Sequence, residues 1–214
     1  MRFDVSLPLV ILAVILVAVT LYPRCRDRLR AFYAREKLKG KDVLLMVVIM
    51  AVGVAIISLI PQQAILIIFI GILSLGLFLL SYTLTERWYV GLTMAALFVS
   101  SYFLYWNDLE LNIFAILFVT FLSIAMSEIF TWRLSWAFGG LLAVVDVIHV
   151  FGTKFMVSST LKLVALRLPL TIIIPMFPSQ GHIILGLGDI LLAQLLTLQT
   201  YSRFGLRSAL VCAA

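Results

Sequence analysis

Two aspartates stand in stretches that otherwise read as membrane-buried helix: Asp146 in Val144-Val145-Asp146-Val147-Ile148, and Asp189 in Leu185-Gly186-Leu187-Gly188-Asp189-Ile190. A carboxylate at membrane depth costs about 2.5–3.5 kcal/mol on insertion scales, and such residues face cavities where they handle protons, ions or substrate. Two carboxylates sharing a low-dielectric site cannot both ionise cheaply, so one keeps a proton while the other stays charged. That state suits aspartyl hydrolysis, in which one carboxylate activates a water and the protonated one donates to the scissile carbonyl oxygen. Gly186 and Gly188 flank Leu187 just ahead of Asp189, and their missing side chains allow a substrate backbone or a facing helix to come close. Proton or cation translocation also uses intramembrane carboxylates, and the residues alone leave both chemistries open.

The elements that must position these groups follow from composition. Of 214 residues, 64% are hydrophobic and 12% charged, and the mean hydropathy is +1.17. Soluble domains hold roughly 45–50% apolar residues, so this is the composition of an integral membrane protein. The net charge of +6 does not point to nucleic acid, because the basic residues concentrate in one loop beside membrane spans. Cys25 and Cys212 form no disulfide framework, and His149 and His182 belong to no zinc-binding pattern, so no metal or organic cofactor is expected.

Spanning a hydrocarbon core takes about 20 apolar residues. Seven runs qualify, at 5–22, 43–60, 64–84, 88–105, 111–130, 134–151 and 183–201. The expected fold is therefore all-α, a polytopic transmembrane helix bundle of about seven spans in one domain over 1–214. Scaffold spans would occupy 5–130, and a catalytic pair 131–201 with its connecting loop at 152–182. The loop at 23–42 carries eight Lys and Arg residues and should be cytoplasmic. Alternation then puts twelve of the sixteen basic residues inside and the N-terminus outside, with the first run a retained signal anchor. Spans six and seven are joined outside and should be antiparallel neighbours. Asp146 precedes the end of span six by five residues and Asp189 follows the start of span seven by six, so each would lie roughly 8–9 Å below the outer boundary. Within the loop, Leu170 and the β-branched Thr171, Ile172, Ile173 and Ile174 lie between Pro169 and Pro175, and the segment should be extended. His149, one turn from Asp146, could modulate it, and Glu128 reads as an interfacial carboxylate near Arg133.

At these residues the chain resembles the GxGD intramembrane aspartyl proteases, specifically the presenilin and signal peptide peptidase family with its archaeal homologues. Asp146, Val150, Phe151, Gly152, Thr153, Lys154 and Met156 resemble the sixth-helix motif, residues 168–175 the Pro-bounded segment that follows, and Gly186-Leu187-Gly188-Asp189 the second catalytic motif. The resemblance implies a catalytic dyad of Asp146 and Asp189. It also implies that the segment from Leu170 to Ile174 holds an unwound substrate as an added strand. The substrates would be transmembrane helices, with the topology similar to signal peptide peptidases and the host an archaeal-like prokaryotic plasma membrane. Two features depart from the family. Val145 stands where the family usually has Tyr, and neither a Pro-Ala-Leu motif nor the eighth and ninth spans occur. The expectation is then a member truncated relative to nine spans, or one completed by an oligomer or a complementing chain. The competing expectations are a proton- or cation-coupled transporter or channel, and a catalytically inactive family member. A prepilin-type peptidase is disfavoured, because its aspartates work near the cytoplasmic face.

Overall fold

The computed structural model describes residues 6–33, 38–148, 162–176 and 181–213. The helices among them are α1 (Ser6–Tyr33), α2 (Gly40–Leu59), α3 (Gln62–Thr85), α4 (Trp88–Leu104), α5 (Asp108–Ile129), α6 (Trp132–Val147), α7 (Leu187–Phe204) and α8 (Leu206–Ala213), with a further helical turn at 162–165. One hairpin, β1 (Thr171–Pro175) with β2 (His182–Gly186), lies between α6 and α7. The bundle is helical because a run of Leu, Ile, Val and Ala in lipid must satisfy every backbone group within its own segment. Four of the described helices are long and apolar enough to cross a membrane, within α1, α2, α3 and α5, and α4 is a shorter apolar helix. These four make the chain an integral membrane protein.

α5 is the central element. Its Ala115, Val119, Ile124 and Met126 are buried against three different clusters, whereas α2 leaves Leu45, Val48, Ile49 and Leu59 exposed at the periphery, as lipid-facing side chains should be. The α3–α4 pair closes tightly: a Cβ at Gly91 would lie 2.9 Å from the Phe78 carbonyl oxygen, so glycine is needed there for the two backbones to approach.

Two boundaries differ from the sequence expectation. The first apolar run does not end at Pro23. α1 continues to Tyr33, because Tyr22, Cys25 and Leu29 repeat at helical spacing and bury the stripe against α5 and α7. Arg24, Arg26, Arg28 and Arg30, expected in a loop, therefore stand on a helix. At the other end, α7 begins at Leu187 rather than 183, because residues 182–186 are consumed by the strand that pairs with β1.

A buried polar knot ties α1, α5 and α7 together. Gln194 is 0% exposed. Its Nε2 donates to the Val14 carbonyl at 2.9 Å and to Thr120 Oγ1 at 3.2 Å, and its Oε1 accepts from Ser123 Oγ at 2.9 Å. A hydrogen bond between membrane helices averages about 0.6 kcal/mol, with about 1.7 kcal/mol as the upper value. Gln194→Leu should therefore cost about 1–2 kcal/mol, and Gln194→Ala about 2–4 kcal/mol because it also leaves a cavity. Equilibrium unfolding of detergent-solubilised protein measures both, and the alanine variant should melt below the leucine one.

Candidate functional site

The connection between α6 and α7 is anchored before it delivers the hairpin. Lys162 Nζ caps the end of α2 by donating to the Ile60 carbonyl at 3.1 Å. Tyr102 Oη donates to the Leu166 carbonyl and Trp106 Nε1 to the Arg167 carbonyl, while Arg167 pairs with Asp108 at 3.3 Å. Chain direction into β1 is thereby fixed from α2, α4 and α5.

β1 and β2 pair antiparallel in the register Thr171↔Gly186 through Pro175↔His182. Leu187 N–H donates to the Leu170 carbonyl and Met176 N–H to the Gly181 carbonyl. Because hydrogen-bonded and non-hydrogen-bonded pairs alternate, the ladder bonds in between belong to Ile172↔Leu185 and Ile174↔Ile183. Ile172 and Ile174 are buried, and with Ile183, Leu185, Leu187 and Ile190 they fill one cluster with Val14 of α1 and Val119 of α5. Ile173 points its backbone away from β2, and Asn112 of α5 takes both groups: its Nδ2 donates to the Ile173 carbonyl and its Oδ1 accepts from the Ile173 N–H, each at 2.8 Å. The outer edge of β1 is thus occupied at Ile173. β2 is the opposite case. Its outward backbone groups at His182 and Ile184 have no partner among the described residues, and both side chains are exposed.

β2 runs directly into Asp189, the third residue of α7. Gly186 is the N-cap of that helix, with φ −69° and ψ 142°, an ordinary extended conformation. Glycine is not needed there for conformation; what it provides is space. A Cβ at Gly186 would sit 3.7 Å from Asp189 Oδ2, and one at Gly188 would meet nothing within 4 Å. Asp189 is exposed, at the end of a strand edge that has no partner among the described residues.

Asp146 lies one residue before the last residue of α6. α6 and α7 are antiparallel: Gln199 Nε2 reaches the Phe130 carbonyl, Phe138 packs with Leu195, and a Cβ at Gly139 would meet Leu192. Counting from Gly139 opposite Leu192, Asp146 is level with residue 185, about four residues or roughly 6 Å beyond Asp189 along the shared axis. Side chains lean toward the N-terminus of their own helix, which in this antiparallel pair shortens the offset along the axis. Both carboxylates occupy the same end of the bundle. Asp146 is half-buried and lines a cavity of about 70 Å³ with Val47, Met50, Ala51, Val54, Leu142 and Val145, between α2 and α6, and Asp189 does not line it.

The expected site residues are therefore distributed as follows. Asp189, Gly186, Leu187 and Gly188 form the strand-to-helix turn, with Leu187 buried. Leu170, Thr171, Ile172, Ile173 and Ile174 lie in or beside the inner strand, already paired within the chain. His149 and the motif residues Val150, Phe151, Gly152, Thr153, Lys154 and Met156 lie outside the described residues. Glu128 takes a different partner from the one expected: the Tyr22 hydroxyl donates to it at 2.7 Å, and Arg26 and Arg30 face it at 3.9 and 3.5 Å. Asn112 and the β2 edge were not foreseen in the sequence, since a single Asn on an apolar helix carries no signal of the strand it will hold.

No family model, curated protein or solved structure matches this chain.

Proposed function

We propose that the protein is an intramembrane aspartyl endopeptidase that hydrolyses peptide bonds within transmembrane segments, using Asp146 and Asp189. The observation that carries this reading is the edge of β2, unpaired among the described residues, leading into an exposed Asp189 at the end of the bundle that also holds Asp146. A helical substrate offers no accessible peptide bond, because its carbonyls are hydrogen-bonded and its side chains surround them. A segment unwound along His182 and Ile184 would replace its helical bonds with strand bonds and would pass its next peptide group beside Gly186 and Gly188. There, one aspartate removes a proton from water as its oxygen attacks the carbonyl carbon. The other donates its proton to the carbonyl oxygen. Collapse of the tetrahedral centre breaks the C–N bond, and the departing nitrogen takes a proton.

This assigns substrate pairing to β2, with β1 as the inner strand that holds it in place. The resemblance to the presenilin and signal peptide peptidase family supports the same chemistry. So does the order of the motifs, with one aspartate late in a helix and the second just after an extended segment. We further propose about seven spans, an N-terminus outside and a prokaryotic plasma membrane, on the strength of the charge distribution and that resemblance.

The test is cleavage of a tagged single-span substrate by detergent-purified protein, compared with Asp189→Ala, with proton and cation flux measured on the same preparations in liposomes. Cleavage that disappears in the variant is expected. Flux that depends on Asp189 with no cleavage would overturn the protease reading in favour of a carrier.

A further inference from the structure

At the opposite end of the bundle a second polar site stands apart from the aspartates. Gln199 and Ser202 lie ten and thirteen residues beyond Asp189 on α7, roughly 15–20 Å along the helix. Together with Tyr22, Arg26 and Arg30 of α1 and Glu128 of α5, they line a cavity of about 540 Å³. That volume lies within the range of small-molecule sites.

The charges in this cavity are unequal. Glu128 is 5% exposed and holds one guanidinium on each side through its Nε, with Arg26 at 3.9 Å and Arg30 at 3.5 Å. The Tyr22 hydroxyl also donates to this carboxylate. One carboxylate against two guanidiniums leaves one positive charge. Arg26 Nε is buried without a hydrogen bond, and among the described residues the terminal NH2 groups of both arginines have no hydrogen-bond partner. Guanidinium forks of this kind match the tetrahedral oxygens of a phosphate in bidentate fashion, and a buried donor without a partner is costly. Gln199 and Ser202 do not compete for the forks. Gln199 Nε2 donates to the Ser127 and Phe130 carbonyls, and Ser202 Oγ donates to the Gln199 carbonyl. The candidate span in α1 ends at Arg30, so the cavity lies at one end of that apolar stretch, and anionic lipid headgroups gather at such ends.

We propose that the cavity formed by Tyr22, Arg26, Arg30 and Glu128 binds a phosphate group, carried by the headgroup of an anionic phospholipid. Glu128 acts as a fixed counter-charge that holds both arginines in place with their forks turned to the ligand. The bound phosphate would clamp α1 to α5 and α7 at the end remote from the aspartates.

The experiment uses the full chain, delipidated in a neutral maltoside detergent. Binding of dioleoylphosphatidylglycerol, of phosphate-free dioleoylglycerol and of inorganic phosphate against chloride at equal ionic strength is read by thermal shift. Wild-type protein should be stabilised by phosphatidylglycerol and not by dioleoylglycerol. Arg26→Gln and Arg30→Gln should each weaken the apparent affinity at least tenfold, whereas Arg24→Gln, exposed outside the cavity, should change it less than twofold. Arg30 is 62% exposed, so its variant carries the test where loss of Arg26 prevents folding. Stabilisation by inorganic phosphate as strong as by the lipid supports the site and names a soluble source. An equal effect of dioleoylglycerol, an equal loss in Arg24→Gln, or no stabilisation of wild type overturns the proposal.

Discussion

Asp146→Asn and Asp189→Asn should each lower kcat/KM for a transmembrane substrate by about 10²–10⁴-fold, the range that a positioned acid or base contributes. A thousandfold loss corresponds to about 4 kcal/mol of transition-state stabilisation. Asparagine keeps the size and most of the hydrogen-bonding capacity of aspartate, so neither variant should disturb the fold. Asp189 is exposed at the first turn of α7 and Asp146 is half-buried near the end of α6. Thermal unfolding in the same detergent should accordingly match wild type. The decisive comparison is the double variant. Two groups that serve as base and acid on one peptide bond act as a unit, so removing the second after the first should cost little more, and the double variant should be no slower than the slower single by more than a fewfold. Multiplied losses would mean that the carboxylates act independently. Full activity in either single variant would end the dyad assignment.

The order of these two groups was legible in the sequence because charge inside an apolar run is rare, and each needs only its own neighbours to be noticed. The extended character of Thr171, Ile172, Ile173 and Ile174 was legible for a similar local reason, with β-branched residues bounded by proline. His182, Ile183, Ile184 and Leu185 were a harder case. A short apolar run ahead of a helix reads as the beginning of that helix, since neither period nor length separates strand from helix over so few residues. Only pairing with β1 decides it, and pairing is not local. α1 carried its signal in plain view, with Tyr22, Cys25 and Leu29 on one stripe, but Pro23 and the arginines outweighed it. In a membrane protein a proline inside a helix is tolerated where neighbouring helices satisfy the freed groups. The partners of Glu128 lie about a hundred residues away in α1, and those of Gln194 and Asn112 lie in other helices and a strand. No pattern within one element could reveal them.

Ile184→Pro should lower kcat/KM at least tenfold, mainly through KM, while leaving the hairpin intact. The ladder bonds of β2 belong to Ile183 and Leu185, so the N–H lost at position 184 points outward and takes no part in the pairing with β1. Proline is tolerated at such an edge position, and the residue before it is already extended. What changes is the exposed edge: a donor disappears and a ring projects where an added strand would lie. Ile184 is 51% exposed, so Ile184→Ala, which keeps the N–H, separates side-chain contact from backbone pairing and should cost less than threefold. The mirror variant addresses the other strand. Ile173→Pro removes the N–H that Asn112 accepts, and Asn112→Ala removes the acceptor. Both should lower thermal stability, because the inner strand loses its tether to α5, yet both leave the β2 edge open to substrate at temperatures where the protein is folded. Normal cleavage by Ile184→Pro, combined with loss of cleavage in folded Ile173→Pro, would move substrate docking to β1. A tenfold loss confined to position 184 would fix it on β2, where an unwound segment passes Gly186 on its way to Asp189.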